Sequence, residues 1–181
     1  MNPEHDTAAG ERSLLLPRTD PPLTGGERES LRGYLDFHRS TLALKCEGLT
    51  DEQLRLQAAP PSDLSLLGLV RHMAEVERVW FRRVLNSEDL PLVWSDEGDF
   101  QAAYDATDAT REDAFAAWHA EVAAARRIEP AVPSLDTTAR RREGAPEMSL
   151  RRIMLHLIQE YARHNGHADL LRQAVDGGTG I

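Results

Sequence analysis

Near the C-terminus the stretch "EYARHNGH" places Glu160 and His164 four residues apart, with His167 three further on. On a helix such positions share a face, so a carboxylate oxygen and imidazole nitrogens can meet at one point. His72 interrupts another apolar stripe, that of Leu69, Val76 and Val79, and supplies an imidazole from a second helix. Two or three neutral imidazoles and one carboxylate, with a position left to water, are the donors of a catalytic zinc site or of a related divalent metal. A buried carboxylate must be paired, protonated, placed at a cavity mouth or bound to a metal, because burying it alone is costly. A single Glu/His pair at this spacing also suits a plain hydrogen bond, and a lone inward histidine suits a satisfied core. The metal reading rests on ionisable groups interrupting apolar seams on two helices at once.

The remaining histidines carry less. His5 falls in the N-terminal tail, His38 is placed to line either core or cavity, and His119 beside Trp118 is expected at the surface. His156 lies off the Glu160 seam, and a structural role is expected for it. Tyr34, Tyr161 and Trp80 are expected as core or pocket wall. Arg71, Arg78 and Arg163 flank the inward residues. Arg71 and Arg163 are the candidate contacts for an anionic cofactor, although surface pairing with Glu75 or Glu77 competes for such arginines.

These residues need helices to hold them. Thr24-x-x-Glu27 reads as a capping box opening a first helix with the apolar face Leu31, Leu35, His38, Leu42 and Cys46, stopped at Gly48. After a connector broken by Pro60-Pro61, a second helix is expected over 65–85. An acidic, aromatic-containing connection, "NSEDLPLVWSDEGDFQAAYDATDAT", leads to a third helix from Thr110 to about Ile128. The fourth is expected from Ser149 to Val175, closed by Gly177-Gly178. Its seam is Leu150, Ile153, Leu157, Glu160, His164, His167, Leu171 and Ala174. Four helical patterns without a convincing strand predict an all-α, four-helix bundle with long connections. Residues 1–23 are expected as a flexible tail and 24–181 as one domain.

The whole chain narrows the function classes. Its 181 residues suit one domain with a real core, and 41% hydrophobic with 28% charged residues suit a globular protein. No apolar run approaches the roughly 20 residues of a spanning helix, and the first residues lack a signal-peptide pattern, so a cytoplasmic location without membrane contact is expected. The single Cys46 excludes an internal disulfide. A net charge of −9 argues against nucleic-acid binding. Arg126-Arg127 and Arg140-Arg141-Arg142 read as solvated charge. Homodimerisation is left open, with the acidic loop around Trp94 as an interface or a lid.

With these residues in view, "SLLGLVRHMAEVERVWFRRVL" and "MLHLIQEYARHNGHADLLRQAVDGGTG", supported by "CEGLTDEQL" and "PPSDLSLLGL", resemble the DinB-like superfamily and its mycothiol-dependent maleylpyruvate isomerase-like branch. They are similar in particular to a short, single-domain subgroup of mycothiol S-transferases, over about residues 20–181. The resemblance implies a four-helix bundle of down-up-up-down type that holds a divalent metal, zinc or nickel. It assigns the metal to His72, Glu160 and His164. His167 stands where glutamine is common in the superfamily, which implies a residue behind the ligands or facing substrate. The isomerase proper carries a further C-terminal domain, so this chain, ending at Ile181, is not expected to isomerise maleylpyruvate.

The expected function is therefore transfer of a low-molecular-weight thiol, mycothiol, to an electrophilic small molecule. A divalent cation stabilises the thiolate of a thiol whose pKa is ordinarily about 8.5, and the thiolate is the nucleophile. Cys46, on an apolar face, is expected as core. Two rivals stand beside this reading. One is a metal-dependent hydrolase with His167 or a carboxylate as base. The other is a non-enzymatic, stress-linked ligand-binding bundle.

Overall fold

A computed structural model describes residues 18–141 and 143–180 of the chain. Most of the expected N-terminal tail, and Arg142 of the basic run, lie outside the described residues. Among the described residues five α-helices form: α1 (Glu27–Lys45), α2 (Asp51–Arg55), α3 (Leu66–Glu77, continued as a π-helical segment over Arg78–Leu85), α4 (Arg111–Ala131) and α5 (Leu150–Asp176). The starts follow side-chain capping, in which a hydroxyl accepts from an otherwise orphaned amide. Ser65 accepts from the Gly68 N–H, Thr110 from Asp113 and Ser149 from Arg152. Gly177, at φ 78°, ends α5 in the left-handed conformation that glycine adopts without penalty. The short α2 has the capping box of Thr50 and Gln53.

The expected box at Thr24 does not form. Gly26 is the N-cap of α1 and makes no side-chain cap bond, so Glu27 is the first helical residue rather than the third. Its carboxylate instead accepts from Arg151 Nε at 2.6 Å, on α5. A long-range partner has taken the group that local patterning assigned to the cap.

Side-chain pairs define the bundle. Arg32 meets Glu129 and Asp36 meets Arg126, so α1 runs antiparallel to α4. Glu27 meets Arg151 and Lys45 meets Asp169, so α1 and α5 run parallel. His72 lies by Glu160 and Trp80 by His156, which makes α3 antiparallel to α5. The result is a DinB-like four-helix bundle in down-up-up-down order. The two parallel neighbours α3 and α4 cannot be joined by a tight turn, and residues 86–110 form the crossover between them. In the α4–α5 connection, Thr138–Ala139 pairs antiparallel with Met148–Ser149. None of the described helices is long and apolar enough to cross a membrane.

Leu42, Leu66, Leu69, Met73, Phe81, Trp118, Ile153 and Leu157 are buried at the centre. Each such side chain contributes roughly 1.5–3 kcal/mol by leaving water. Cys46 is wholly buried, and burial pushes its thiol up to about 12, as suits the core position expected for it. Charge is also present inside. Arg39 Nε and Nη2 donate to the two oxygens of Glu77, both at 2.8 Å. Tyr161 donates to Glu77 Oε1 at 2.7 Å, and Trp118 Nε1 donates to the Tyr161 hydroxyl at 2.8 Å. One residue from each long helix thus enters a single buried network.

Candidate metal centre

α3 contributes His72 from the stripe that also holds Leu69, Val76 and Val79, and α5 contributes Glu160 and His164 one turn apart. Antiparallel packing of these two helices brings the three side chains together. One ligand atom from each lies within 4.8 Å of the others. His164 Nε2 is 3.5 Å from Glu160 Oε2, and His72 Nε2 is 3.7 Å from the same oxygen.

Those separations exceed good hydrogen bonds, and His72 Nε2 is buried with no hydrogen-bond partner. An orphaned buried nitrogen is costly unless something else satisfies it. Ligands about 2.1 Å from a tetrahedral zinc ion stand roughly 3.4 Å apart, which matches the spacing around Glu160. Burial lowers the His164 pKa to about 3, helped by His72, His167 and Arg163. Burial also lowers His72, against the opposing pull of Glu160. Both imidazoles are therefore neutral near pH 7, the form in which histidine binds a metal. The donor set, its spacing and its orphaned nitrogen all fit a divalent cation.

The surroundings support these donors. His167 Nδ1 lies 3.3 Å from His164 Nδ1, on the side away from Glu160. His156 Nε2 approaches the other oxygen of Glu160 at 4.0 Å, and its ring meets the Trp80 ring edge-on. Sequence reading favours a structural role for His156 over a place behind the ligands, and its i, i+4 spacing to Glu160 is the signal that points here. Tyr104 stacks on His72 with ring centroids 4.6 Å apart and an interplanar angle of 17°. Tyr104 escaped sequence reading because it sits in the irregular crossover, where no periodicity marks a face. Burial, then the charge of Glu160, raises its hydroxyl above the ordinary value.

Arg71 donates to the carbonyls of Ala103 and Ala102, both at 3.1 Å, and its guanidinium lies 3.9 Å above the Trp94 ring. These contacts are with the crossover. Trp94 itself turns inward and donates from Nε1 to the Arg71 carbonyl at 2.9 Å. Arg163 is exposed and forms no hydrogen bond or ion pair among the described residues, yet its charge reaches His72, His164 and Tyr104. The expected pairing of Arg78 with Glu75 or Glu77 does not occur. Arg78 binds Glu121, because Glu77 is taken by Arg39 and Glu75 accepts from the Val93 and Trp94 amides. A cavity of about 590 Å³ opens beside Arg71, Trp94, Asp105, Asp108 and Asp113. None of the three candidate donors, His72, Glu160 and His164, lines it.

Residues 30–177 match a family profile described as mycothiol-S-transferase. The chain belongs to the mycothiol-S-transferase family. Within that family's matched span lie His72, Glu160, His164, His167 and Tyr104. Among solved structures, a conserved protein from Enterococcus faecalis shares the fold with a TM-score of 0.66. That likeness covers 86% of this chain and 100% of the other at 17% identity. No curated protein matches the chain.

Proposed function

We propose that this mycothiol-S-transferase family member is a cytoplasmic enzyme that transfers mycothiol to an electrophilic small molecule at a divalent metal held by His72, Glu160 and His164. Zinc is the metal that two neutral imidazoles and one carboxylate with an open position favour. The observation that carries the reading is the convergence of His72 and His164 on one oxygen of Glu160, with His72 Nε2 buried and unpaired. When bound, the cation supplies Lewis acidity that stabilises a thiolate at neutral pH.

The chain's own residues prepare that chemistry. Burial keeps both imidazoles unprotonated, so their lone pairs are available without competition from protons at pH 7. His167 supports the His164 ring from behind through the Nδ1 pair. Tyr104 covers one face of His72 and limits its rotation. Arg163 places a positive charge near His72 and His164, where a negatively charged sulfur is favoured. Cys46 is remote from this role, being a buried thiol held protonated by its surroundings.

The test is zinc-loaded protein assayed with mycothiol and a panel of electrophiles, with thiol omitted as the comparison. Conjugate formation that needs both zinc and mycothiol is expected. Turnover undiminished without any thiol identifies a hydrolase instead. Full-length protein that purifies folded and takes up no metal points to a ligand-binding bundle.

A further inference from the structure

The crossover brings one aromatic side chain to the metal donors, and its attachment is specific. Gly68 on α3 leaves room for it: a Cβ there would lie 2.8 Å from the Tyr104 carbonyl oxygen. Arg71, one residue before His72, holds the carbonyls of Ala102 and Ala103 through Nη2 and Nε. Trp94 closes the other end by donating to the Arg71 carbonyl. The Tyr104 ring therefore borders both imidazoles, 4.6 Å from His72 and 6.4 Å from His164 between centroids. Its hydroxyl forms no hydrogen bond among the described residues, unlike that of Tyr161, which is fully engaged in the core. Arg163, equally unengaged among the described residues, adds positive charge near Tyr104 and both imidazoles.

A held ring that borders both imidazoles and carries an uncommitted O–H is a preorganised donor for charge that develops during reaction. We propose that Tyr104 is a catalytic residue whose phenolic O–H donates to the acceptor oxygen as the thiol sulfur adds to a carbon–oxygen electrophile, an epoxide or an aldehyde. The inference rests on the S-transferase reading above and names the acceptor class. In the step, the thiol first releases its proton to solvent. A sulfur–carbon bond then forms while one carbon–oxygen bond, σ in an epoxide and π in an aldehyde, gives its electron pair to oxygen. Tyr104 donates a hydrogen bond to that oxygen, which takes a proton from solvent to become the product hydroxyl. A phenol suits this task because O–H to oxyanion bonds are short and strong, whereas a departing halide gains little from such a donor.

The experiment compares wild type and Tyr104→Phe, both zinc-loaded, with mycothiol and two acceptors, styrene oxide and iodoacetamide. The phenyl ring keeps the stack on His72, so zinc stoichiometry and the KM for thiol are expected to be unchanged. With styrene oxide kcat is expected to fall roughly 10- to 100-fold, while kcat with iodoacetamide changes less than about 2-fold. Wild-type kcat for styrene oxide in the variant, equal losses with both acceptors, or loss of zinc from the variant each overturns the role of the hydroxyl. Wild-type transfer to iodoacetamide alone overturns the acceptor class and leaves the S-transferase reading standing. Absence of mycothiol transfer to either acceptor by the wild type overturns both.

Discussion

His164 and His167 face each other through their Nδ1 atoms, 3.3 Å apart. With His164 neutral, only one of its ring nitrogens carries hydrogen, and a hydrogen on Nδ1 donated to His167 leaves Nε2 open toward Glu160. With that direction of donation the pair holds the tautomer that a metal ligand needs. His167→Ala should weaken zinc binding roughly 10- to 100-fold, measured by competition with a chelator. His167→Gln, whose amide oxygen also accepts, should retain most of the affinity. Equal affinity in wild type and the alanine variant would remove His167 from the support of the centre.

The three proposed donors come from two helices, so the proposed centre needs each of them. His72→Ala should leave α3 folded and yield protein that keeps no stoichiometric zinc after dialysis, read by elemental analysis. One equivalent retained in that variant would strike His72 from the ligand set. Circular dichroism matching the wild type would separate this from a folding defect.

Arg39 and Glu77 are a buried bidentate pair, and removing one member strands the other's charge. Arg39→Met should therefore cost about 3–5 kcal/mol, seen as a lower urea midpoint. Replacing both with apolar residues should recover much of that loss, because the pair's desolvation largely offsets its attraction. A near-neutral Arg39→Met would show that Glu77 finds a proton or another partner.

The metal-free protein should lose stability as pH falls from about 6.5 toward 3. In the unfolded chain His164 and His72 titrate near 6.5, whereas burial lowers both in the fold, His164 to about 3. Between those values the unfolded state binds more protons, so acid favours unfolding, and above about 6.5 these groups contribute no slope. His164→Asn should flatten the difference in urea midpoint between pH 7 and pH 5. An unchanged slope would mean that other groups carry the acid sensitivity.

Glu75 tethers the crossover by accepting from the Val93 and Trp94 amides, at 2.8 and 3.3 Å. It is buried, which raises its pKa despite those bonds. Glu75→Ala should release the segment, costing about 1–3 kcal/mol for the stranded amides and increasing cleavage within 86–110 in limited proteolysis. Wild-type resistance to cleavage would place the tether elsewhere, with Arg71 the remaining anchor.

The bundle was legible because its signals are local. Apolar recurrence marked each long helix, and Ser65, Thr110, Ser149 and Gly177 marked ends that the structure keeps. The resemblance selected His72, Glu160 and His164, and the structure brings these side chains within reach of one another. Partners distant in sequence were not legible. Glu77, Glu121 and Glu129 look like solvated helix charges, yet each is buried against an arginine from another helix. Thr24 lost its box for the same reason, since Glu27 is drawn to Arg151. Tyr104 had no signal at all, for a crossover has no repeating face from which an inward direction can be read.

The parallel course of α3 and α4 has a consequence for the division of labour in the chain. It obliges the chain to spend a long segment travelling back along the bundle, and that segment lays Tyr104 against the donors while contributing none of them. On the proposed function the helices alone would supply ligation, and the crossover would bear only on the acceptor. Under that proposal, chimaeras exchanging residues 86–110 with another family member would trade acceptor preference and keep metal binding.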